Sequence, residues 1–184
     1  MSPNVWVEFD DDDMLVATNG EIEYYKWTYS EFEEFLNESI TPSMYQFMAG
    51  HVYENIDKDS LWMIETEDYG GHHDCEMAVN AYFDLPALER KEMHEQTLLN
   101  LRAEYARAED KEMAAKDWIL DDNCPFEPTS PIYVEMCQYV RSLVTKYEEK
   151  RLRLEKEIYE EEQWRGGWEE DMETDLKYDH GEEI

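Results

Sequence analysis

The chain has 184 residues, 42% of them hydrophobic and 14% aromatic, which is enough apolar material for a core and unlike the composition of a disordered chain. Its formal charge is −31, a balance that repels DNA, RNA and anionic lipid, so neither direct nucleic-acid binding nor membrane binding is expected. No apolar run approaches the ~20 residues of a bilayer span; the N-terminus lacks a leader pattern, and three cysteines without a CxxC favour a reducing cytoplasm.

In chain order, Val5, Val7 and Phe9 alternate with Trp6, Glu8 and Asp10, the period of a strand. Asp10–Asp13 breaks that run as a polar turn. Met14–Thr18 reads as a second strand, Asn19-Gly20 is a hairpin signal, and Glu21–Trp27 reads as a third strand, so a β-meander is the economical expectation. Ser30 with Glu33 has capping-box spacing and predicts a short helix that buries Phe32, Phe35 and Leu36. Thr41-Pro42 opens another helix by the cap-then-proline pattern, carrying Met44, Tyr45, Phe47, Met48 and Val52. Leu61–Thr66 predicts a fourth strand closed by a Tyr69-Gly70-Gly71 turn, with Asp74 capping a helix over Cys75–Leu85.

Pro86 ends that helix. From there to Leu120 neither proline nor glycine occurs, and Leu98, Leu101, Tyr105, Ala108, Ala115 and Ile119 form a stripe near heptad spacing. The segment 121–131 holds three prolines and reads as a loop. Ser130-Pro131 then caps a second long helix whose stripe is Met136, Val140, Leu143, Tyr147, Leu154 and Ile158. Two long helices joined by a short loop fold back as an antiparallel hairpin. Gly166-Gly167 ends the pattern, and the acidic remainder lacks periodicity and is expected to be disordered. The fold class expected is therefore α+β: an acidic head over residues 1–85, a coiled-coil-like helical hairpin over 86–164, and an acidic tail over 165–184.

The charge follows the same division. Residues 1–85 carry −18 with Lys26 and Lys58 as their only bases, residues 86–164 carry −7, and residues 165–184 carry −6. Uniform adaptation to high salt would not leave an ordinary Lys/Arg-bearing helical segment in the middle. Solubility needs a net charge of only about 2–8, and like charges at i, i+4 cost a helix about 0.2–0.5 kcal/mol per pair. The excess implies a partner that supplies positive charge. The candidate acidic face comprises Glu8, Asp10, Asp11, Asp12, Asp13, Glu21, Glu23, Glu31, Glu34, Glu38, Glu65, Glu67 and Asp68. Glu21 with Glu23, and Glu65 with Glu67, have the alternate spacing of a strand face, about 6.6–6.8 Å. Glu31, Glu34 and Glu38 have the spacing of one helix face. Such rows could resemble phosphates to a groove lined with Lys and Arg.

Other chemistry finds little support. With 47 acids, a close carboxylate pair carries no information about catalysis. GxSxG, P-loop, GxGxxG and HExxH motifs are absent. His72, His73 and Cys75, with His51 or Cys124 as further donors, are the one plausible zinc cluster, but adjacent histidines rarely converge on one ion and turn or cap roles are simpler. Asp10–Asp13 lacks the glycine and terminal glutamate of an EF-hand loop. No enzyme, metal or cofactor is expected. By charge and size the chain looks like the acidic decoy proteins that phages and mobile elements use against restriction or CRISPR enzymes. The expectation is a non-catalytic inhibitor that mimics nucleic acid to a basic protein. The alternative is a coiled-coil assembly protein that works through its hairpin and can form a homodimer there.

Overall fold

The computed structural model describes residues 4–57 and 69–163. The expected strand Leu61–Thr66, the acids Glu65, Glu67 and Asp68, and the 165–184 tail lie outside the described residues, as do the side chains of 69–72. Two compact units divide the chain, the first ending at Met93 and the second spanning His94–Trp164.

The first unit opens with the expected meander. β1 (Trp6–Phe9), β2 (Leu15–Thr18) and β3 (Glu23–Trp27) pair antiparallel in that order, with Phe9 opposite Leu15 and Leu15 opposite Trp27. β2 is central and wholly buried. β3 starts two residues later than its composition suggests, because the Asn19 side chain takes the amides of Glu21 and Ile22 at 3.0 and 2.9 Å and holds both in the turn. Gly20 sits at φ +88°, a conformation that favours glycine, and a Cβ there would lie a tight 3.2 Å from the Trp6 ring.

The helices of this unit are α1 (Tyr29–Leu36), α2 (Pro42–Asn55) and α3 (Tyr69–Phe83). The Ser30–Glu33 capping box does not form. Thr28 is the N-cap, which places Ser30 inside the first turn, and Glu33 instead accepts the Ile40 amide at 3.3 Å. The start is set by tertiary anchors on either side of Thr28: Trp27 is fully buried, and the Tyr29 ring stacks on Tyr45 at 4.2 Å. α1 ends on Asn37 in the left-handed region. α2 begins as expected, with Thr41 accepting the Met44 amide and Pro42 in the first turn.

α3 overturns the expectation of a Tyr69-Gly70-Gly71 turn with Asp74 as cap. The helix already includes all four residues, so Asp74 lies in its interior. Cys75, Ala78, Val79 and Tyr82 are buried at i, i+3, i+4, i+7 spacing. The glycines occupy the first turn, where backbone amides have no helical acceptor to lose.

α4 (Ala87–Leu120) starts after Pro86, and α5 (Pro131–Gln163) after Ser130. In the second unit they run antiparallel as a hairpin, fixed by contacts of His94 with Glu161, Arg102 with Glu162 and Glu112 with Arg151. The 26 residue steps from His94 to Leu120 span about 39 Å. Leu101, Ala108 and Leu154 form the seam core, with Tyr105 and Ile158 packed against it. The expected stripes are there, with buried Glu112 between Ala108 and Ala115 and buried His94, Thr97 and Glu161 beyond the stripe ends. No described helix is long and apolar enough to cross a membrane.

Candidate functional site

The acidic turn between β1 and β2 is built by its first residue. The Asp10 carboxylate accepts the amides of Asp12 at 3.0 Å and Met14 at 2.8 Å, an Asx arrangement that closes the turn. Its other oxygen meets the Lys26 ammonium at 2.5 Å. Burial pulls the Asp10 carboxyl upward, but Lys26 and the two amides outweigh it and hold it below the ordinary aspartate range. The same contact raises Lys26. Asp10 is thus a structural carboxylate, and it occupies the cation that could have neutralised its neighbours. Asp11, Asp12 and Asp13 remain exposed, with Asp13 at φ 59°.

Tyr45 fastens this turn to the core. Its hydroxyl accepts the Leu15 amide at 3.2 Å and lies 3.0 Å from the Trp27 carbonyl and 3.4 Å from that of Asp13. Burial pushes the hydroxyl up to about 12, so it stays protonated and able to donate.

Glu21 and Glu23 are exposed at the opposite end of the sheet, separated from the Asp11–Asp13 turn by the four residues of β2, about 13 Å. Glu21 belongs to the turn and Glu23 to the strand, so the expected alternate strand pair is not formed. Glu8 is exposed on β1, across the central strand from them, and accepts the Trp6 indole N–H at 2.8 Å. The expected helix-face row also breaks up. Glu34 is exposed on α1, Glu38 lies beyond the Asn37 C-cap, and Glu31 turns inward to accept the Tyr25 hydroxyl at 3.2 Å. The structure therefore brings Asp11, Asp12 and Asp13 together in one turn and leaves Glu8, Glu21, Glu23, Glu34 and Glu38 exposed on other elements, with none of the expected rows intact.

Glu31 belongs to a second, internal group with Tyr25, Asp74 and Cys75. Burial, with Glu31 and Asp74 adding to it, pushes the Cys75 thiol up to about 12, which disfavours the thiolate. Burial also raises Asp74 and Tyr25. His73 is exposed while Cys75 is buried. Among the described residues no three His, Cys, Asp or Glu side chains are grouped to hold a metal.

Two buried carboxylates escaped the sequence reading. Glu112 meets Lys116 at 2.5 Å and Arg151 at 2.7 Å, and these two cations hold it below the ordinary glutamate range. Glu161 is fully buried and meets His94 Nδ1 at 2.7 Å. Both were visible in principle, since Glu112 lies seven residues after Tyr105 and Glu161 seven after Leu154 on the two stripes.

Comparison with protein-family models, with curated proteins and with solved structures finds no match to this chain.

Proposed function

We propose that the protein acts without catalysis, presenting the carboxylates of its first unit to the basic groove of a nucleic-acid-binding protein as a decoy, in the manner of an anti-restriction or anti-CRISPR inhibitor. The observation that carries this reading is the treatment of charge around the Asp10 turn. Lys26 is tied to Asp10, while Asp11, Asp12, Asp13, Glu21, Glu23, Glu34 and Glu38 stand exposed. Exposed like charges oppose the compact state, so a partner that neutralises them gains that repulsion back as binding energy. The irregular spacing argues for mimicry of phosphate charge density and against a copy of the duplex repeat.

The test is capture of proteins on the immobilised full-length chain from a bacterial lysate. Elution is then compared with NaCl and with duplex DNA. Basic DNA- or RNA-binding proteins released by both are the expected result. Retention indifferent to salt and to DNA would overturn the reading. Replacing Asp11, Asp12 and Asp13 together with Asn should weaken capture from severalfold to about a hundredfold, at the roughly 0.2–1 kcal/mol of an exposed ion pair each.

A further inference from the structure

Asn19-Gly20 is the one Asn-Gly pair in the chain. Glycine carries no side chain to shield its backbone nitrogen, so in an open chain that nitrogen can reach the asparagine side-chain carbon. The turn between β2 and β3 ties down both groups. The Gly20 amide donates to the Thr18 hydroxyl at 3.0 Å, and that hydroxyl donates in turn to the Ile22 carbonyl at 2.9 Å. Asn19 Oδ1 accepts the amides of Glu21 and Ile22 at 3.0 and 2.9 Å, while its Nδ2 donates to the Tyr24 hydroxyl at 3.0 Å. Asn19 is half-buried and Gly20 exposed, so water reaches the pair.

We propose that Asn19 is a deamidation site gated by this turn: the closed turn blocks the reaction, and opening of the hairpin end releases it. The Gly20 nitrogen gives up its proton to hydroxide and attacks Asn19 Cγ. The new C–N bond closes a succinimide ring as the side-chain nitrogen takes up a proton and leaves as ammonia. Water then opens the ring. Entering at Cγ, it leaves aspartate; entering at the Asn19 main-chain carbonyl, it leaves isoaspartate, with the backbone routed through Cγ. The closed turn opposes the first step twice. The proton that must leave Gly20 is the one bonded to Thr18, and turning Cγ onto the Gly20 nitrogen moves the carboxamide off all three of its bonds. The products differ in what they do to the turn. Aspartate keeps the acceptor for Glu21 and Ile22, and the Tyr24 hydroxyl can reverse and donate to it. Isoaspartate lengthens the backbone within the turn, so its free carboxylate no longer sits where those amides point. Either product adds a negative charge beside exposed Glu21.

Incubation of the full chain at mildly alkaline pH, followed by tryptic mass spectrometry, tests this. Lys26 is the first basic residue, so one peptide carries Asn19 with Asn4, and fragmentation assigns the change between them. Chromatography separates the aspartate and isoaspartate forms. Deamidation of Asn19 should run at least about tenfold slower in the folded chain than in guanidinium chloride, because only the open fraction reacts. Thr18→Val removes the acceptor of the Gly20 amide and should speed the folded-state reaction about fivefold, with the denatured rate unchanged. Tyr24→Phe, at a half-buried position, should speed it about twofold. Thermal melting of each variant, with the midpoint well above the incubation temperature, separates an opened turn from an unfolded chain. Asn19→Asp should keep the hydrogen-exchange protection of the Ile22 amide. Equal rates in the folded and denatured chain, no reaction at Asn19 in denaturant, or a folded variant that reacts at the parent's rate would each overturn the proposal.

Discussion

The Tyr45 hydroxyl ties the β1–β2 turn to the core, and Tyr45→Phe isolates that contribution. The ring contacts are kept: the stack on Tyr29 at 4.2 Å and the edge contact with Phe32 at 6.0 Å do not involve the oxygen. What is lost is the acceptor for the amide of Leu15, a residue with no solvent exposure, and the donor to the Trp27 carbonyl. Leaving one buried donor without a partner costs about 1–3 kcal/mol, more than the ~1 kcal/mol net worth of an ordinary hydrogen bond. For a unit of this size each kcal/mol moves the midpoint by roughly 4–8 °C, so a loss of roughly 4–24 °C follows. Amide hydrogen exchange by NMR localises the effect: Leu15 should lose protection more than Val52, which is buried on α2. Because the hydroxyl is pushed up to about 12, the difference between parent and variant should not change between pH 6 and about pH 10. A variant within about 0.5 kcal/mol of the parent and unaltered exchange at Leu15 would refute the account of the turn.

Three further outcomes follow from the charges that the structure ties down. Asp10 is held below its ordinary range when folded, so its stabilisation is complete above about pH 3.9 and lost as pH falls through the depressed value. Asp10→Asn should therefore lower the thermal midpoint at pH 7 and flatten the acid limb of the midpoint–pH curve. Asp74 has the opposite sign: burial raises it, so its penalty is absent below the ordinary value and grows as pH rises through the folded one. Asp74→Asn should raise the midpoint at pH 7 and leave it unchanged near pH 3. In the hairpin, His94→Leu weakens the compensation of a fully buried carboxylate and should cost up to about 3–5 kcal/mol, whereas His94→Leu with Glu161→Leu should recover more than half of that, as read by urea unfolding at 222 nm.

The parts of the fold legible in the sequence are those fixed within a few residues. Asn19-Gly20 dictates its turn by an amide-accepting side chain and a positive φ, Thr41-Pro42 dictates a helix start by a hydroxyl cap and a preset φ, and Pro86 and Pro131 flank the long helices. What was not legible depends on distant partners. Ser30 and Glu33 have the right spacing for a cap, but buried Trp27 and the Tyr29–Tyr45 stack place the chain so that Thr28 comes first. Gly70 and Gly71 look like a turn, yet the face formed by Cys75, Ala78, Val79 and Tyr82 continues α3 through them.

The same limit governs the carboxylates, and it bears directly on function. Asp10 and Asp11 are identical in sequence terms, as are Glu31 and Glu34. Only the fold separates Asp10, which is spent on two amides and Lys26, from Asp11, which faces water. Likewise Glu31 is spent on the Tyr25 hydroxyl, while Glu34 is exposed. A tied carboxylate cannot serve a partner without first giving up bonds that hold the fold, so its removal should cost stability before it costs binding. An exposed one has the reverse signature. The candidate face is therefore smaller than the charge count implies and rests on a frame of acids that look the same in the sequence. Asp10→Asn and the triple Asp11/Asp12/Asp13 replacement should consequently fall on opposite axes, the first in melting and the second in partner capture.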